Sequence, residues 1–202
     1  MLTDYGLAGL CGVLSWRLWS ASRAMAQTSV GCWAVGLACL GVASLAGGTV
    51  HGFSAILNQA TLHRLWIVTI YAIGVASFSL FVGTLTACCL IPVRRWLLLI
   101  PVIQLIGYAL WMLTHSDFRS AIYDYTFTLV NVLAFHLHAG LKRREKSAFW
   151  LIGGVVASGA AAAIQASGIS LHRHFNHNDF YHVIQMGGIY LFYRGALQLK
   201  DR

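Results

Sequence analysis

Long apolar runs, broken by short polar joints, make up almost the whole chain. Seven stretches are apolar enough to form membrane helices, near 4–22, 30–54, 65–91, 95–113, 119–140, 147–168 and 178–198. Each is close to the roughly 20 residues that a helix needs to cross a hydrocarbon core. The joints at 20–23, 58–64, 92–95, 114–119, 142–146 and 172–177 hold most of the charge. No two-residue alternation of apolar and polar positions runs long enough for a strand, and open strands could not satisfy their backbone groups in lipid. The pattern predicts an all-α membrane protein, a single seven-transmembrane-helix bundle over residues 1–202.

Composition strengthens that reading. Of 202 residues 58% are hydrophobic and 10% charged, with a mean hydropathy of +0.68. Soluble chains carry about 25% charged residues. A chain this apolar must bury its surface, which excludes disorder. Cys11, Cys32, Cys39, Cys88 and Cys89 all fall in apolar runs and form no CxxC pair, so they read as buried thiols.

The basic residues orient the bundle. With the amino terminus outside, Arg17, Arg23, Arg94, Arg95, Lys142, Arg143, Arg144, Lys146, Arg194, Lys200 and Arg202 fall inside, leaving Arg64, Arg119 and Arg173 outside. Positive charge collects on the cytoplasmic side, so the carboxyl terminus is expected inside. The +8 net charge is thus a topology signal. Nucleic-acid binding would need a basic stripe with interleaved aromatics, and none is present. Ala24-Met25-Ala26 looks like a signal-peptide cleavage site, but Asp4 and Arg17 favour a retained first helix. The short loops point to a multi-pass protein of a bacterial plasma membrane, with membrane lipids as its partners and no feature that marks a protein partner.

Orientation brings distant polar residues to one depth. His51 lies near the outer end of the second helix. His177, Asn178, Asp179, His182 and Gln185 lie in the outer turns of the seventh, Asp124 and Tyr125 about two turns into the fifth, and Asp4 at the start of the first. Ionisable groups within a membrane are costly and by default mark a functional site. Asp179, His182 and Gln185 are three apart and share a helix face, as do Asn178 and His182, four apart. His177 and His182 are about 140° apart on an ideal helix and could share a ligand only if the first turn is distorted or His177 sits in the cap. Gly47, Gly48 and Gly52 around His51 allow another helix or a ligand to come close.

Neutral histidine and carboxylate oxygen are zinc ligands. Three protein ligands with one open position would lower the pKa of a bound water towards ~7. Asp179 or Asp124 could then exchange the proton as catalytic acid or base, with Asn178, Asp4 or Tyr125 orienting the imidazoles. The competing reading for His51 and His182 is plain interhelical hydrogen bonding, worth about 0.6 kcal/mol. His63, His115, His172 and His174 read as solvated loop residues. His136 and His138 read as interfacial, and two residues apart they cannot share a face.

The motifs His177-Asn178-Asp179-Phe180-Tyr181-His182-Val183-Ile184-Gln185-Met186 and Gly47-Gly48-Thr49-Val50-His51-Gly52, in seven outside-to-inside helices, resemble the alkaline ceramidase and adiponectin-receptor-like superfamily, near an uncharacterised bacterial branch. The resemblance implies a zinc held by one histidine of helix two and two of helix seven, with a water attacking a lipid amide. His51 matches the helix-two ligand and His182 the second histidine of helix seven. Three positions depart from the pattern. Asn178 stands four residues before His182 where the superfamily has histidine, Gly47 stands in place of a serine, and residues 58–67 contain no acid where an aspartate is expected.

Three functions follow from these residues. The first is a zinc-dependent membrane hydrolase of a lipid amide or ester, with His51, His182 and either His177 or Asp179 as ligands. The second is a haem protein with His51 and His182 as the axial pair. The third is a receptor or sensor with a polar pocket and no chemistry.

Overall fold

The computed structural model describes residues 2–168, 170, 172 and 175–202. They form helices α1 (Leu2–Met25), α2 (Thr28–Phe53), α3 (Gln59–Cys88), α4 (Ile91–Leu97), α5 (Leu99–Met112), α6 (Phe118–Arg143), α7 (Lys146–Ser167) and α8 (His177–Ala196). Apart from one isolated bridge between His172 and Phe175, no strand pairing occurs among the described residues.

Local chemistry sets most boundaries. Asn58 caps α3 by accepting from the Thr61 amide, and Asp117 caps α6 through Ser120. The Ser120 amide, helped by its hydroxyl, holds the Asp117 carboxyl below its usual range. The fourth expected helix is two segments. It starts at Ile91, earlier than expected, because Pro92 is tolerated in a first turn. It breaks at Leu98 because Pro101 has no N–H to donate to the Leu97 carbonyl, and its ring crowds that group.

Packing follows a closed ring. α1 packs on α2, α2 on α3, α3 on α6, α6 on α7, α7 on α8 and α8 on α1, while α5 lies against α3 from outside the ring. The core holds Trp33, Leu37, Leu80, Val132, Leu151 and Phe192, all fully buried. Trp33 and Phe192 meet at 5.3 Å between ring centroids. The small residues of α7 serve this packing: a Cβ at Gly154 would collide with the Phe192 ring, whereas one at Gly159 would meet nothing.

Among the described residues four helices are long and apolar enough to cross a membrane: Thr28–Phe53, Gln59–Cys88, Ile91–Met112 and Lys146–Ser167. The other three rods, α1, α6 and α8, have 24, 26 and 20 residues. They are long enough but carry the ionisable residues that lower their hydropathy.

At the end of the bundle away from the start of α1, the carboxyl-terminal tail clasps the fold. Gln27 gives α2 no side-chain cap. Asp201 supplies one from across the sequence, accepting from the Thr28 amide at 2.7 Å and the Ser29 amide at 2.9 Å. Its own amide donates to Gln27 Oε1 at 2.6 Å, and Arg94 donates to the Arg202 carbonyl at 2.9 Å. Partial burial works against the charged form of Asp201, yet the Ser29 and Thr28 hydrogen bonds hold its carboxyl below the ordinary value. A depressed folded-state value means that this stabilisation is present above the unfolded carboxylate pKa. It is lost as pH falls through the folded one. Asp201→Asn keeps a capping oxygen but loses the charge at the helix N-terminus, so it should lower stability by about 0.5 kcal/mol at neutral pH, and the difference from wild type should vanish on acidification below the ordinary carboxylate range. Thermal melts of both proteins across that range measure it; a pH-independent difference would show that the carboxylate charge is not involved.

Candidate functional site

The opposite end gathers the start of α1, the end of α2 and the start of α8. There the sequence builds a chain of polar contacts around His182. Asn176 caps α8, accepting from the Asn178 and Asp179 amides, and Asp179 Oδ2 accepts in return from the Asn176 amide at 3.3 Å. This capping box fixes Asp179 and frees its Oδ1 to accept from the Thr3 hydroxyl at 2.7 Å. The same Thr3 oxygen lies 3.2 Å from His182 Nδ1. Across the ring, His182 Nε2 stands 3.4 Å from Asp4 Oδ1, with the two side chains 14% and 9% exposed.

Asp4 reaches this place because Gly48 faces it. A Cβ at Gly48 would come within 2.5 Å of the Asp4 Cβ. Ser44 also donates to the Asp4 carbonyl at 2.9 Å, and the Tyr5 hydroxyl lies 3.0 Å from Thr49 Oγ1. The glycines of α2 thus admit α1, one of the two occupants that the sequence suggested.

The hydrogen-bond directions constrain His182. Thr3 gives its proton to Asp179, so its oxygen takes the His182 Nδ1 proton. In a neutral ring Nε2 would then turn a lone pair toward a carboxylate. A second ring proton, a proton on Asp4 or a cation between the two would each make that contact favourable. The 3.4 Å separation exceeds the 2.7–2.9 Å usual for a charge-assisted hydrogen bond. It is close to the edge of a tetrahedron with bonds of 2.0–2.1 Å, which is about 3.3 Å. Two members of a nitrogen-oxygen ligand set therefore fit a zinc-sized ion.

The remaining expected site residues are placed differently. His51 is exposed, edge-on to Trp66 at 6.4 Å. His177 is the first residue of a regular α8, already capped by Asn176. The helix is regular from this residue, which sets His177 about 140° around α8 from His182. Asn178 accepts from Gln165 of α7 at 3.2 Å. Asp124 is not in this cluster; it is buried between α6 and α5, accepting from Gln104 at 2.8 Å. Among the described residues no group of three His, Cys, Asp or Glu side chains stands ready to hold a metal as placed. His174 lies outside the described residues. His136, read from sequence as interfacial, is fully buried with Nδ1 3.7 Å from Cys88 Sγ. It continues the buried face of Asp124, Thr128 and Val132 at four-residue spacing. Thr3 escaped the sequence reading, because a threonine one position before an acid carries no signal of its own.

A family model of unknown function, DUF6962, matches residues 1–201. The chain belongs to that family. The DUF6962 match takes in all eight helices and therefore both Asp4 and His182. No curated protein and no solved structure matches the chain.

Proposed function

We propose that this DUF6962 protein is a multi-pass membrane hydrolase of a lipid amide or ester. Seven spans would place the amino terminus outside and the His182 cluster near the outer face. The observation that carries the reading is the Asp4–His182 pair, held at a tetrahedral ligand spacing while Thr3 and Asp179 orient the second ring nitrogen. His182 and Asp4 would hold a zinc ion, with His51 as the third ligand. That set replaces His177 in the ligand role by Asp4. The ion, when bound, supplies a polarised water at neutral pH. The likeness to alkaline ceramidases supports a lipid amide as the substrate class.

Elemental analysis of detergent-purified protein tests this directly. About one zinc per chain is expected in wild type and close to none in His182→Ala. A chain without stoichiometric metal, prepared without chelators, would sink the hydrolase reading.

A second reading has its own support, since no three-ligand group is assembled among the described residues. In it a second ring proton makes His182 an imidazolium paired with Asp4, and the protein is a receptor or sensor with a polar pocket. Ligand-induced stabilisation without turnover favours it. The haem alternative would require His182 to release Asp4 or Thr3, and a visible spectrum lacking a Soret band removes it.

A further inference from the structure

A second polar cluster lies within the helix bundle, apart from His182, where α3, α5 and α6 meet. The Gln104 amide nitrogen on α5 donates to Asp124 Oδ1 at 2.8 Å, to the Asp124 carbonyl at 3.1 Å and to Thr128 Oγ1 at 3.0 Å. Thr128 is fully buried and donates to the Ser77 carbonyl of α3 at 3.5 Å. The Ser77 hydroxyl faces the Asp124 carboxyl. Those three acceptors fix the amide, because a flipped Gln104 would set its oxygen against a carboxylate.

That arrangement leaves a surplus of oxygen. Asp124 Oδ2, Gln104 Oε1 and Ser77 Oγ are buried with no hydrogen-bond partner among the described residues. Asp124 is 9% exposed and Ser77 1%. The described ion pairs of the chain lie elsewhere, at Arg143–Glu145 and His182–Asp4, so no basic side chain among the described residues neutralises Asp124. An uncompensated carboxylate in a helix bundle is costly. A proton on Asp124 Oδ2 would serve Gln104 Oε1, with the Ser77 hydroxyl donating to the carboxyl. A small cation would instead be held by the three oxygens together and would keep the carboxylate charged. The donors are hard oxygens, which suit sodium, magnesium or calcium and not a soft transition metal. One negative charge matches a monovalent ion, because calcium and magnesium sites draw on more charge or more oxygens.

We propose that Asp124, Gln104 and Ser77 form a sodium-binding site between α3, α5 and α6. The side chains of three helices would close on one ion, so occupancy would tie α5 to the ring. This site does not depend on the hydrolase reading.

The test is thermal melting of the purified protein at constant ionic strength, exchanging choline chloride for sodium chloride or potassium chloride. Sodium should raise Tm saturably by about 5 °C at high occupancy. Asp124→Asn should abolish the rise. Ser77→Ala, which keeps the carboxyl, should move the sodium midpoint up by about tenfold, and it keeps the proposal testable if Asp124→Asn fails to fold. Equal melting in sodium and choline overturns the site, as does a sodium response that survives in Asp124→Asn. A response to potassium alone overturns the assignment to sodium. An infrared band of a neutral carboxyl, removed by Asp124→Asn and untouched by sodium, would show that a proton occupies the position instead.

Discussion

His182→Ala and Asp4→Ala are each expected to lower hydrolysis of a lipid amide or ester by roughly 10³-fold or more, with bound zinc lost in both. In the proposed site the two side chains, 3.4 Å apart, would supply adjacent corners of one tetrahedron, so either loss would open it. Thr3→Val should act more mildly. It removes the oxygen that faces His182 Nδ1 and the link to Asp179 while keeping both proposed ligands. Changes to groups that orient a ligand typically cost about 10- to 100-fold in affinity or activity. Gly48→Ala should resemble Thr3→Val although it touches no ligand, because its new methyl pushes on the Asp4 Cβ. Zinc content and turnover, measured together on all four variants with circular dichroism as a folding control, decide the matter. Full activity in folded Asp4→Ala would remove Asp4 from the site.

Gly154→Ala is expected to destabilise the bundle by about 1–3 kcal/mol, the usual range for an added methyl in a closed core. The new methyl would overlap the ring edge of Phe192. That ring is fully buried and already packed on Trp33 at 5.3 Å, so it cannot swing away without moving α2 as well. Gly154→Leu should prevent assembly of the closed ring altogether. Gly159→Ala, five residues along the same helix, meets nothing and should be neutral or slightly stabilising. At about 2–4 °C per kcal/mol for a chain of this size, Gly154→Ala should lose several degrees of Tm relative to wild type. Equal melting of the two alanine variants would mean that α7 does not pack on α8 through Gly154.

Helical class, the number of rods and most of their ends are local properties. Runs of apolar residues specify helices, and Asn58, Asp117 and Asn176 mark where three of them begin, because a side-chain oxygen satisfies free amides within the next three residues. The early start at Ile91 and the break at Leu98 were also written locally, in Pro92 and Pro101, although hydropathy alone does not reveal them. The polar character of the α1, α2 and α8 ends was legible too, since ionisable residues stand out against an apolar background.

Which of those residues meet was not legible. Helical spacing relates residues on one rod, and the rotation of each rod about its axis is decided by packing. Gly48 lets α1 approach α2 and brings Asp4 to His182, while the regular, capped first turn of α8 turns His177 aside. The four-residue stripe Asp124, Thr128, Val132 and His136 faces inward, which carries Asp124 to Gln104 and away from the histidines. From the sequence alone came a helical membrane bundle with acids and histidines at a shared depth. Only the tertiary structure sorted them into an Asp4–His182–Thr3–Asp179 chain and a separate Asp124 cluster, because depth is set along each helix and partnership by the contacts between helices.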